Sequence, residues 1–175
     1  MIDFFAIAPA TESFRSSPHG FWLCDPGGNN MAFSSSVQRF DAQACVCIKS
    51  GSVRFVPIDH NPQYVGVGGR CDGFLHDVNR ESLAFVELKD RGVDNGLNEA
   101  AWQKKAIAQL SNTIKYFKQC HANVDRVATH KQAVIANKQC PYKVGSSIAS
   151  QQAKFFSAPE TAGYILSKTN DISMP

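Results

Sequence analysis

Seven consecutive residues constrain this chain more than any others. Leu83-Ala84-Phe85-Val86-Glu87-Leu88-Lys89 is β-rich, and in a strand its side chains alternate between two faces. Ala84, Val86 and Leu88 make one face wholly apolar, whereas Leu83 and Phe85 begin the other face and Glu87 and Lys89 end it. Charge on a strand that is otherwise apolar on both sides costs free energy unless it is paired or bound to an ion. The pattern therefore predicts a site at the C-terminal mouth of a buried strand. Glu87 and Lys89 would stand about 6.7 Å apart along it, at a rise of roughly 3.3 Å per residue.

The residues around this strand suggest a mixed sheet with helices. Ala44–Ile48 and Val53–Ile58 are β-rich runs joined by a short glycine-containing loop, which reads as a hairpin. Pro57 argues for an edge or a strand end there. Arg70–Leu75 reads as a third strand and His76–Ser82 as a polar turn into the fourth. After a polar loop at 90–97 the period changes. Ile107, Leu110, Ile114 and Phe117 fall at helical spacing among helix-favouring alanines, predicting a helix over about 98–119. Val127–Ala136 contains a buried strand, 146–157 a second helix, and Gly163–Leu166 a last short strand. Residues 11–16 suggest a short helix capped by Thr11. Residues 17–36, rich in Ser, Gly, Asn and Pro, read as loop. The expected fold is α/β or α+β, a central mixed sheet flanked by helices, in one domain over 1–175.

Asp72 supplies a third charge. It lies on the preceding strand, upstream of Glu87 by little more than a tight turn and two short strand segments. An antiparallel pairing that sets Leu75 opposite Leu83 would bring Asp72 near Val86 and Glu87, so two carboxylates meet a lysine. Hard oxygen donors of this kind suit Mg²⁺ or Mn²⁺, which keep several waters and bind phosphate oxygens. An adjacent lysine can orient or deprotonate an attacking water and offset charge building on phosphate.

Asp72, then Glu87-Leu88-Lys89 on an apolar strand, then a helix, resembles the PD-(D/E)xK superfamily of restriction endonuclease-like nucleases. The resemblance covers roughly residues 44–136, with Cys71 where the family name has proline. It implies a restriction endonuclease-like core and a Mg²⁺- or Mn²⁺-dependent endonuclease acting on nucleic acid, DNA ahead of RNA, with restriction or phage defence as a setting. It implies that Asp72, Glu87 and the Leu88 carbonyl hold the metal and that Lys89 lies beside the nucleophilic water. A polar residue from the next helix matches Gln109, with Gln103 behind it, and a glutamate from an early helix matches Glu12. Enzymes that cut both strands often dimerise, so a homodimer belongs to the same expectation.

Charge distribution bears on the partner. The net charge is only +3, yet residues 100–145 hold eight basic side chains against one acid, Asp125. Lys104, Lys105 and Lys115 on the expected helix are candidates for holding a nucleic-acid backbone; a solvated lysine-rich helix face is the structural alternative. The six cysteines lack Cys-x-x-Cys or zinc-finger spacing and read as buried free thiols, Cys45 and Cys47 sharing one strand face. Gly66-Val67-Gly68-Gly69 lacks dinucleotide-binding spacing and reads as a turn. No apolar run approaches the ~20 residues of a membrane span. The acidic start lacks signal-peptide character, so the cytoplasm is the expected compartment. Two other functions fit the same residues: an inactive nuclease-fold subunit that binds nucleic acid or a protein, and a small acidic-faced inhibitor.

Overall fold

A computed structural model of the 175-residue chain describes residues 14–15, 20–49, 53–61, 64, 68–77, 82–91, 95–120, 128–139 and 146–175. Its strands are β1 (Phe14–Arg15), β2 (Phe21–Cys24), β3 (Phe33–Ser35), β4 (Ala44–Ile48), β5 (Val53–Pro57), β6 (Gly73–Asp77), β7 (Ser82–Lys89), β8 (His130–Asn137), β9 (Ile165–Lys168) and β10 (Asp171–Met174). Two helices are described, α1 (Asn95–Cys120) and α2 (Ser146–Ser157). The fold is α+β with two mixed sheets. One sheet runs β1-β5-β6-β7-β8-β9, antiparallel up to β7 and parallel from β7 to β9. The other runs β10-β4-β2-β3, with β10 and β4 parallel.

The two faces of β7 explain the layering. Leu83 and Phe85 pack with Ala106, Leu110, Ile114 and Phe117 of α1 and with Phe155 of α2. Ala84, Val86 and Leu88 pack instead with Phe21, Leu23, Val46, Ile172 and Met174 of the smaller sheet. The large sheet thus has helices on one side and a second sheet on the other, where the sequence suggested a sheet flanked by helices. Phe117 is the centre of the helix-side core, its ring 5.3 Å from Phe74 and 5.2 Å from Phe85, both edge-on. Such pairs add roughly 0.5–1.5 kcal/mol each beyond the area they bury.

Several expectations need correction. Ala44–Ile48 and Val53–Pro57 do not form a hairpin. They belong to different sheets, because β4 pairs with β2 and β10 while β5 pairs with β1 and β6. Residues 17–36 are not all loop: Phe21 and Leu23 alternate inward on β2, and the turn-forming residues after Asp25 lead to β3. Phe14–Arg15 is strand, paired with β5, where a helix over 11–16 was expected; Thr11 and Glu12 lie outside the described residues. The last strand begins at Ile165, and β10 follows it unforeseen. Helix α1 starts three residues earlier than its periodicity indicated, at Asn95. Cys24 and Cys71 are buried, but Cys45 is half-buried and Cys47 and Cys120 are exposed, so the cysteines are not uniformly core. No described helix is long and apolar enough to cross a membrane.

Candidate active site

The site forms where β6 enters the sheet and β7 leaves it. The antiparallel ladder pairs Gly73 with Val86, Phe74 with Phe85 and Leu75 with Ala84. Leu75 therefore faces Ala84 and not Leu83, and this one-residue difference matters. Continued one step, the ladder sets Asp72 directly opposite Glu87, so both side chains share a face. The Asp72 backbone keeps that register, since the Ile58 N–H donates to its carbonyl at 2.9 Å. The shared face is the one that Phe74, Phe85 and α1 cover.

Three charged groups converge there. Asp72 is 6% exposed and Glu87 0%. Oδ2 of Asp72 accepts a hydrogen bond from the Leu88 N–H at 2.5 Å. Nζ of Lys89 is in ion-pair contact with Oε1 of Glu87, while Oε2 has no hydrogen-bond partner among the described residues. The Lys89 carbonyl turns the other way, toward β8, where it accepts from the Lys138 N–H at 2.9 Å. Because alternate residues of a strand point their backbone groups to opposite neighbours, the Leu88 carbonyl faces the Asp72 side.

Burial dominates the electrostatics. It pushes the Asp72 carboxyl up to about 7 against the partial relief of Lys89 and the Leu88 N–H, with Asp25 and Asp59 adding to the rise. Burial, then the charge of Asp72, holds Glu87 well above the ordinary carboxyl range despite Lys89. For Lys89, burial acts to lower the ammonium, but the charges of Glu87 and Asp72 outweigh it and hold it above its usual value. Four acids, Asp72, Glu87, Asp25 and Asp59, therefore bear on one place, where Lys89 is the ammonium partner among the described residues. That place favours a proton or a cation.

The donors fit a hard divalent ion with incomplete protein coordination. Glu87 offers an unpartnered buried oxygen, Asp72 a carboxylate opposite it, and Leu88 a carbonyl on the same side. Among the described residues no group of three or more His, Cys, Asp or Glu side chains could hold a metal. Two carboxylates, a carbonyl and solvent suit Mg²⁺ or Mn²⁺, whose coordination usually retains water.

Helix α1 positions Asp72 through a clamp that the sequence reading saw only in part. Gln109, Asn112 and Thr113 lie one turn apart on one side of the helix. Nε2 of Gln109 donates to the Arg70 carbonyl at 2.7 Å, and Nδ2 of Asn112 to the Gly68 carbonyl at 3.0 Å. The Cys71 N–H donates to Oγ1 of Thr113 at 2.9 Å, and that hydroxyl donates to the Gln109 carbonyl at 2.9 Å. The chain from Gly68 to Cys71 is thus tied to α1 just before Asp72. Gly69 turns the segment with φ +61°, a conformation that favours glycine. The Arg70 guanidinium, bonded to the Tyr64 carbonyl at 2.8 Å and 3.4 Å from Asp59, secures the same approach.

The other expected residues fall as follows. Gln109 holds backbone beside Asp72, donating to the Arg70 carbonyl and not to either carboxylate. Gln103 is buried and bonds Glu99 at 2.5 Å. Lys104, Lys105 and Lys115 are all exposed on α1. Eleven residues is close to three helical turns, so Lys104 and Lys115 share a line opposite the buried stripe of Ala106, Leu110 and Phe117. The fold does not bring them to the carboxylates. One further support was missed. Asn137, opposite Lys89 on β8, exchanges side-chain hydrogen bonds of 2.9 Å with both the N–H and the carbonyl of Arg91, fixing the chain just beyond the site. The polar residues Gln109, Asn112 and Thr113 beside the apolar stripe of α1 were the signal available for the clamp; nothing local marked Asn137.

The chain matches no protein-family model, no curated protein and no solved structure.

Proposed function

We propose that this chain is a metal-dependent phosphodiesterase that cuts nucleic acid, a nuclease of the restriction endonuclease-like kind, with DNA as the expected substrate. One observation carries the reading. Asp72 and Glu87 stand opposite each other on one sheet face with Lys89 against Glu87, and all three are held in a region where burial disfavours unpaired negative charge. A merely structural Glu–Lys pair at a strand end would be solvated, and would not need a second buried carboxylate across the ladder.

Asp72, Glu87 and the Leu88 carbonyl would hold Mg²⁺ or Mn²⁺. When bound, such an ion supplies Lewis acidity toward the phosphate and lowers the pKa of water. Lys89 donates hydrogen bonds from its ammonium at the edge of the site, where its side chain is 19% exposed. Lys89 would orient the attacking water and steady charge on the phosphate oxygens. The Leu88 N–H fixes one oxygen of Asp72 and leaves the other for ligation.

The test is Mg²⁺-dependent cleavage of plasmid, single-stranded DNA and RNA. Cutting by the wild-type chain, lost in Asp72→Ala and in Glu87→Ala and in the presence of chelator, supports the proposal. Folded wild-type protein that cuts none of the three at any Mg²⁺ or Mn²⁺ concentration refutes it. Metal-independent nucleic-acid binding without cutting would then point to a binding subunit.

A further inference from the structure

A second set of ligating atoms lies on the opposite side of the molecule's layering. Cys45 and Cys47 of β4 are two apart, so strand geometry sends both side chains to one face. Ala44 and Val46 take the face buried in the inter-sheet core, leaving the two cysteines on the outer side of the smaller sheet. There Cys45 is half-buried and Cys47 exposed. Their sulfurs are 4.0 Å apart. Trp22 is the direct cross-strand partner of Cys45 on β2, and Asp171 its partner on β10.

The separation decides what the pair can do. A disulfide needs β-carbons about 3.5–4.5 Å apart. Residues i and i+2 of a strand are roughly 6.6 Å apart at a rise of ~3.3 Å per residue. Closing the bond would break β4 away from both neighbours. An ion set between the sulfurs needs no such movement. Two metal–sulfur bonds of ~2.3 Å at a tetrahedral angle span roughly 3.8 Å between sulfurs, close to the spacing present.

We propose that Cys45 and Cys47 form a two-thiolate site for a soft d¹⁰ divalent cation, with solvent completing the coordination. The step is an exchange without redox change: two S–H bonds are lost, two sulfur–metal bonds form, and two protons leave to solvent. Soft thiolate donors separate this site from the oxygen donors at Asp72 and Glu87.

The experiment is titration of the reduced full-length chain with Cd²⁺ alone, in a Trp102→Phe background. It follows the thiolate-to-metal absorption in the ultraviolet and the quenching of Trp22. The expected result is one Cd²⁺ per chain with both signals saturating together. Cys45→Ser and Cys47→Ser should each weaken binding at least tenfold, and Cys120→Ser should leave it unchanged. Because Cys47 is exposed, Cys47→Ser tests the site without disturbing the core. Equal binding by the parent chain and Cys47→Ser overturns the proposal, as does absorption without Trp22 quenching. Formation of a Cys45–Cys47 disulfide under mild oxidation, seen by mass spectrometry with β structure intact, overturns it too.

Discussion

Titrating the metal-free protein is the sharpest test of the buried carboxylates. Asp72 holds its proton up to about 7 in the folded chain, against an ordinary 3.8. Between those values the folded state binds more protons than the unfolded state, so stability falls as pH rises. The contribution is fully present below about pH 4, is lost progressively up to about 7, and is flat above. The gap between about 7 and 3.8, at about 1.4 kcal/mol per pH unit, amounts to about 4 kcal/mol. That is a large part of the roughly 5–15 kcal/mol that holds a domain together. Asp72→Asn removes it, because an amide does not titrate and its oxygen still accepts from the Leu88 N–H. Urea unfolding in chelator from about pH 4 to about pH 8 should show the Asp72→Asn variant gaining on wild type by about 4 kcal/mol, mostly below about pH 7. At the alkaline end, Mg²⁺ at a hundredfold excess over its Kd should return about 2.7 kcal/mol to wild type and much less to the variant. A difference between the two proteins that stays within about 1 kcal/mol across the range would refute the claim that the burial of Asp72 outweighs its relief by Lys89 and the Leu88 N–H.

Three other outcomes follow from the packing. Thr113→Val removes the acceptor of the buried Cys71 N–H and should cost about 1–3 kcal/mol in urea unfolding; it should also weaken Mn²⁺ binding measured calorimetrically, with Thr113→Ser restoring both. Gly73→Ala drives a methyl into the Phe55 ring and to 2.7 Å from the Val56 carbonyl oxygen, so it should lose at least about 1–3 kcal/mol, while Gly68→Ala, with nothing within 4 Å, should be near neutral. Lys104→Ala with Lys115→Ala should change the salt dependence of DNA binding by less than about one in log–log slope, because both project away from the carboxylates; a change near two would put the nucleic-acid backbone along the outer face of α1.

The helix-facing half of this molecule was legible because its signals are local. The two-faced apolar pattern of β7, the helical period of α1 and the acid at Asp72 each sit within a few residues, and they converge because β6 and β7, neighbours in sequence, pair antiparallel. What covers the other face of β7 was not legible. Ala84, Val86 and Leu88 say only that something apolar lies on them, and helices would satisfy that as well as β2, β4 and β10 do. The hairpin misreading has the same origin: β4 and β5 carry similar residues and a short connection, and nothing local distinguishes turning back from crossing to another sheet. β10 was hidden because Asp171–Met174 is four residues long, and its pairing partner, β4, lies more than a hundred residues earlier.

The layering also explains why a site can exist at Glu87. Ala84, Val86 and Leu88 are sealed against the second sheet, so no chemistry is accessible there. On the helix side, Phe85 and Phe117 seal the middle of β7, and exposure returns only at Lys89, which is 19% open. A carboxylate in place of Phe85 would be buried without access, and one beyond Lys89 would be solvated and ordinary. Glu87 sits between, with Asp72 across the ladder and Lys89 at the rim. The clamp from α1 matters for the same reason. Asp72 lies just before β6; the Ile58 N–H holds its carbonyl, but the approach from Gly68 would otherwise be free to swing the carboxylate toward water. Gln109, Asn112 and Thr113 remove that freedom, so the repulsion between two buried acids must be met by a proton or a cation and not by movement.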